Sequence, residues 1–129
     1  MKVKIDTKEK FHVITVNETT LSADMTGNLH DTLIPYLQNV VPNIILDLRD
    51  VEYTDNLFAE KLVKIQQKFY EAGHSFVISG LQPGVENYLD DSGLLEIINH
   101  TPTSSEAGDI ILMEEIEREL MEGDDLLND

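Results

Sequence analysis

Residues 44–55 read Ile44-Ile45-Leu46-Asp47-Leu48-Arg49-Asp50-Val51-Glu52-Tyr53-Thr54-Asp55. The first five form a near-continuous apolar run, which suits a central strand covered on both faces. Pro42-Asn43 stops whatever precedes it, and a short polar turn leads on to Asp55, a residue type that caps helices. The spacing predicts a helix over 56–71. Phe58, Leu62, Ile65 and Phe69 recur at i, i+4, i+7 and i+11, and Gly73 stands where a left-handed C-cap would close it.

The pattern continues outward on both sides. Residues 2–5 and 11–16 read as strands joined by the polar stretch Asp6–Lys10, an antiparallel hairpin. A first helix is expected from Asp24 or Thr26, with Leu29, Leu33, Leu37 and Val40 on one face, kinked or restarted at Pro35. Residues 75–79 read as the next strand. Pro83 opens a third helix carrying Val85 and Leu89, then Leu94 and Ile98, interrupted at Ser92-Gly93. Residues 96–99 read equally as helix or as a short edge strand. After the 101–105 loop comes a last helix, whose Ile110, Met113, Ile116 and Leu120 are expected to pack on the sheet. Glu114, Glu115 and Glu117 with Arg118 then form its outer face, solvated or available to a basic partner. Strands alternating with helices imply an α/β class with a mostly parallel sheet, made mixed by the opening hairpin. The expected architecture is one domain over 1–121, with a mixed four- or five-stranded sheet and about four helices. An acidic, frayed tail is expected over 122–129.

Composition narrows the function. The chain has 129 residues, the size of one domain. It has no Cys, which excludes disulfides, thiolate catalysis and Cys-ligated zinc. No window approaches the length of a membrane span, and no apolar leader opens the sequence. These features point to the cytoplasm and to no direct membrane insertion. The formal net charge is −16. Such a surface repels phosphate backbones, so no nucleic-acid partner is expected. Residues 109–129 hold nine acids and one base, Arg118, a net of −8 and half of the total.

Few constellations suggest chemistry. Asp47, Asp50, Glu52 and Asp55 cluster near the end of the central strand, where α/β folds bind ligands. Carboxylates there can hold Mg²⁺, but a turn residue at Asp50 and a cap at Asp55 explain them more simply. His12, His30, His74 and His100 lack zinc-binding spacing. Asp90-Asp91-Ser92-Gly93 reads as a helix break. No Gly-x-Ser-x-Gly and no phosphate-binding Gly-rich loop is present. No metal, cofactor or catalytic residue is expected.

Residues 44–55 resemble the central strand and following loop of STAS domains, the module of anti-sigma-factor antagonists, in which a strand ending Leu-Asp-Leu leads to an Asp at a helix start. Glu71-Ala72-Gly73 before Phe76-Val77-Ile78-Ser79-Gly80-Leu81, the pattern Val85…Leu89…Gly93-Leu94…Ile97, and Ser105-Glu106-Ala107 resemble the same family. Together they cover about residues 3–121. The resemblance implies a STAS-like fold and a non-catalytic protein-interaction domain, a regulator in a partner-switching system that binds an anti-sigma factor or a related regulator. It implies a partner surface of Thr54, Asp55, Asn56 and Leu57 with Leu21, Ser22 and Asp24. Two positions depart from the family pattern. Antagonists follow the Asp with Ser-Ser-Gly, the first Ser being phosphorylated, whereas Asp55 is followed by Asn56-Leu57-Phe58. Asn56 has no hydroxyl to accept phosphate. Antagonists often carry Gly-Glu-Leu-Asp after the second strand, and the matching residues are Thr19-Thr20-Leu21-Ser22. The missing Ser gives weight to one alternative, a STAS component of a lipid-transport or scaffold complex. A second alternative, resting on the carboxylates at the strand end, is a small nucleotide- or Mg-binding α/β domain. Oligomeric state is left open.

Overall fold

The computed structural model describes the backbone of residues 1–128 and the side chains of residues 1–122. β1 (Val3–Thr7) and β2 (His12–Val16) form the expected hairpin, with Val3 opposite Val16 and Thr7 opposite His12. β3 (Thr20–Leu21), β4 (Ile44–Asp47), β5 (Tyr53–Thr54), β6 (Phe76–Ser79) and β7 (His100–Thr101) follow in chain order. The main sheet runs β1-β2-β4-β6-β7, and all its pairings except β1–β2 are parallel. β4 lies at its centre and all four of its residues are buried, as its unbroken apolar run requires.

Alternation along the strands divides two cores. Ile14, Val16, Ile44, Leu46, Phe76 and Ile78 face helices α1 (Thr26–Leu33), α2 (Asn56–Glu71) and α3 (Pro83–Asp91). Ile45 and Val77 face helix α4 (Ser104–Asn128) on the opposite side. In α2 the stripe Phe58, Leu62, Ile65 and Phe69 is buried as its spacing predicts. The Phe69 and Phe76 rings meet edge-on at 5.1 Å, an arrangement that suits the aromatic quadrupole.

The first helix is shorter than its periodicity suggests. α1 ends at Leu33 and continues as a 3-10 segment, Ile34–Gln38. Pro35 has no N–H for an α-helical bond, and the tighter turn accommodates it. The chain is extended by Asn39, so Val40 leaves the helical face and is 99% exposed. Leu94 and Ile98 likewise lie outside α3, because Gly93, at φ 77°, turns the chain after Asp91.

Residues 96–99 do not form a strand. Leu95–Ile97 is a 3-10 turn, and the edge strand begins one residue later at His100. The cause is Gln66, a buried polar residue on α2. Its Nε2 donates to the carbonyls of Phe76 (2.8 Å) and Asn99 (3.0 Å), while its Oε1 accepts from the Asn99 N–H (3.1 Å). The Asn99 backbone amide is thereby committed to a side chain.

The phase of α4 is the largest correction. Ala107 and Ile111 lie on the sheet and Ile110 packs beside them as expected, whereas Met113, Ile116 and Leu120 point outward. Beyond Ile111 the helix passes the strand starts, whose polar groups need partners. Asn43, itself buried, donates to Glu115 Oε1 (2.8 Å) and to the Lys10 carbonyl (3.0 Å), and its Oδ1 accepts from the Ser75 N–H (2.8 Å). Tyr70 donates to Glu114 Oε1 (2.9 Å), and Arg118 donates to Ser75 Oγ (3.1 Å). Polar satisfaction therefore sets the rotation of the second half of α4. Its backbone passes residue 121 without a break, so the boundary expected there does not interrupt the helix. The side chains of 123–129, most of the expected acidic tail, lie outside the described residues.

Candidate functional site

The loop after β4 closes at Asp55, the N-cap of α2. Asp55 Oδ1 accepts from the Phe58 N–H at 2.9 Å, which satisfies one of the free donors of the helix start. Its Oδ2 accepts from the Ala23 N–H at 2.7 Å. One carboxylate thus joins two segments distant in sequence. The join is reinforced below by the two-stranded parallel sheet of β3 and β5, with Leu21 opposite Thr54, and by the Asp55 N–H donating to the Leu21 carbonyl at 2.9 Å.

This staple sorts the expected site residues. Leu21 and Thr54 are buried, 1% and 3% exposed. Their side chains support the site from beneath and offer no surface to a partner. Ser22 is half-buried and donates to Asp24 Oδ1, and Asp24 itself is exposed. Asn56 is exposed, and its Nδ2 donates to Glu60 Oε1 at 2.9 Å, one turn along. Leu57 is 59% exposed. The structure therefore brings Asp24, Asn56 and Leu57 to one surface around the half-buried Asp55. A shallow groove of about 210 Å³ runs from Leu57 between the two segments, lined also by Ala23, Thr26, Glu60, Lys61 and Lys64.

Sequence reading missed three neighbours, Tyr53, Tyr88 and Glu60. Tyr53 is exposed, and its ring lies 6.4 Å from that of Tyr88 on α3, edge to face. Partial burial, then the Tyr53 phenol and the carboxylates of Asp55 and Glu60, hold the Tyr88 hydroxyl above its ordinary pKa. Glu60 was readable as the i+4 partner of Asn56. Tyr88 was not, because only the packing of α3 brings it there.

The carboxylates near the strand end do not converge. Asp47 is buried and committed to Arg49, accepting from its backbone N–H (3.0 Å) and its guanidinium (2.9 Å). Asp55 is the staple, and Asp50 and Glu52 are exposed. Among the described residues, no three His, Asp or Glu side chains gather in a way that would hold a metal ion. Also among them, no helix is long and apolar enough to cross a membrane.

A mixed sheet with three helices on one face, a fourth behind it and a stapled helix start at one end defines a class of small α/β domains. More particularly, the chain belongs to the STAS domain family, whose model matches residues 2–107. Solved structures share the fold. A Thermotoga maritima protein assigned as an anti-sigma factor antagonist is 21% identical, with 84% of this chain and 93% of that one covered and a TM-score of 0.72. A STAS domain protein from Planctomyces limnophilus is 20% identical, with 88% and 97% covered and a TM-score of 0.72. The cell fate determinant SpoIIAA of Bacillus, in its phosphorylated form, is 14% identical, with 85% and 99% covered and a TM-score of 0.62. No curated protein sequence matches the chain.

Proposed function

We propose that this chain is a non-catalytic, cytoplasmic regulator of anti-sigma-factor-antagonist type, which binds an anti-sigma factor or related regulator through the start of α2. The observation that carries this reading is the Asp55 staple with Leu57 exposed beside it. A rigid, stapled loop presents its apolar side chain without an ordering cost. Leu57 then serves as an apolar anchor inside a polar rim of Asp24, Asn56 and Glu60. Leu21, Ser22 and Thr54 shape the loop from beneath.

The same geometry supports a protein that is not controlled by a phosphoserine at the usual position. Asn56 is a neutral donor to Glu60. A doubly charged phosphate there would face Asp55 and Glu60, a repulsive arrangement. The test is binding of a partner captured from the source cell. Leu57→Ala should weaken binding, and Asn56→Asp should weaken it by about tenfold, ~1.4 kcal/mol. Unchanged affinity in both, with the domain folded, would reduce the Asp55-Asn56 pair to a helix cap. Intact mass after incubation with antagonist kinases should not rise, and a phosphate mapped to Thr54 would contradict the reading.

A further inference from the structure

The outer face of α4 carries an apolar stripe with no partner inside the domain. Ten large apolar side chains are exposed among the described residues, and five of them, Leu112, Met113, Ile116, Leu120 and Met121, fall within one stretch of this helix. The others, Ile5, Val40, Tyr53, Leu57 and Ile97, sit on separate elements. Met113, Ile116 and Leu120 follow i, i+3, i+7, the spacing of a helix–helix seam. The stripe lies past residue 107, where the family match ends, and on the opposite face of the sheet from α2. It is therefore independent of the surface proposed above.

Charge identifies the occupant. Glu106, Asp109, Glu117 and Glu119 are exposed around the stripe. The only base between residues 104 and 122 is Arg118, which turns inward to Ser75. A second copy of this chain would set these acids against themselves, and like charges across an interface cost affinity. An anionic membrane surface is repelled for the same reason as a second copy. We propose that the outer face of α4 docks an amphipathic helix of a partner protein, with an apolar seam flanked by lysine and arginine. Apolar contact would supply affinity, and the acidic rim would supply orientation and association rate.

The test uses the full chain and a fluorescent helical peptide with leucine at heptad a and d positions and lysine beside them. One control peptide has the same composition scrambled, and another has glutamate in place of lysine. Anisotropy should show saturable binding of the basic amphipathic peptide alone, weakened about tenfold or more by Ile116→Ser or Leu120→Ser. Val40→Ser, an exposed apolar site elsewhere, should bind like the wild type. The Ile116 and Leu120 variants should melt where the wild type does, since their side chains face solvent. Equal binding of the scrambled or glutamate peptide, or unchanged affinity in Ile116→Ser, would overturn the proposal. So would a dimer in sedimentation velocity that Ile116→Ser dissociates, or binding to phosphatidylserine vesicles that Ile116→Ser abolishes.

Discussion

Asp55 makes two bonds that substitution can separate. Removing an N-cap side chain costs about 0.5–2 kcal/mol, and a bond to a charged group contributes about 1.5–3 kcal/mol. Asp55→Asn keeps one acceptor oxygen and should lose about 1 kcal/mol, within the capping range. Asp55→Ala loses both bonds and should fall further, by about 2–3 kcal/mol. Urea midpoints give the comparison, and an Asp55→Ala midpoint equal to wild type would contradict the staple. Glycine positions offer a second contrast. Gly73 and Gly80 both have positive φ, 79° and 73°. A Cβ at Gly73 meets open space, whereas one at Gly80 would lie 2.9 Å from Asp47 Oδ1. Both Ala variants should cost about 1–2 kcal/mol for the backbone, and Gly80→Ala should cost measurably more. Equal midpoints would mean that the Asp47–Arg49 pair moves aside freely.

Each helix can be tested through the face it buries. Leu62→Ala in α2 should cost about 2–5 kcal/mol, the range for a core truncation. Lys68→Ala on the exposed face should stay within about 0.5 kcal/mol. Equal midpoints would refute the phase of α2. The contact between α2 and α4 has a pH signature. Burial, assisted by Glu114 and opposed by the Asn99 hydrogen bond, pushes the Tyr70 hydroxyl up to about 12. The folded state therefore favours the neutral phenol. Its contribution is fully present below the unfolded pKa of about 10 and is lost as pH rises from there to about 12. Between about pH 9 and pH 11.5 the wild type should lose more thermal stability than Tyr70→Phe, which has no such proton to release. Parallel losses would show that the Tyr70 hydroxyl is not held in a desolvated site between α2 and α4.

A net charge of −16 acts on the whole molecule. Self-repulsion of like charges opposes the compact state and is screened by salt, with a Debye length near 10 Å at about 0.1 M. Ion pairs do little to offset it. Of the four present among the described residues, Asp6–Lys8 and His30–Asp31 join exposed groups, and Lys10–Glu115 is long at 4.0 Å. Raising NaCl from about 10 mM to about 0.5 M should therefore raise the melting temperature. A fall would mean that specific ion pairs outweigh the global field.

What was legible in the sequence was whatever depends on local periodicity. The β4 run, the α2 stripe with its Asp55 cap and the β1–β2 hairpin all record burial directly in side-chain spacing. The position of the loop before α2 followed from those elements, and with it the exposure of Leu57. Tertiary structure decided features that depend on polar partners far along the chain. No local pattern announces that Gln66 will claim the Asn99 amide, that Asp55 will reach Ala23, or that Leu21 and Thr54 will be buried by pairing with each other's strands. The rotation of α4 was decided in the same way. Its apolar stripe reads as a core face by spacing alone, yet the buried Asn43 and Ser75, with Tyr70, required Glu114, Glu115 and Arg118 on the inside. An unsatisfied buried polar group costs more than an exposed leucine, so the second half of the helix turned Glu114 and Glu115 inward and Met113, Ile116 and Leu120 to the surface.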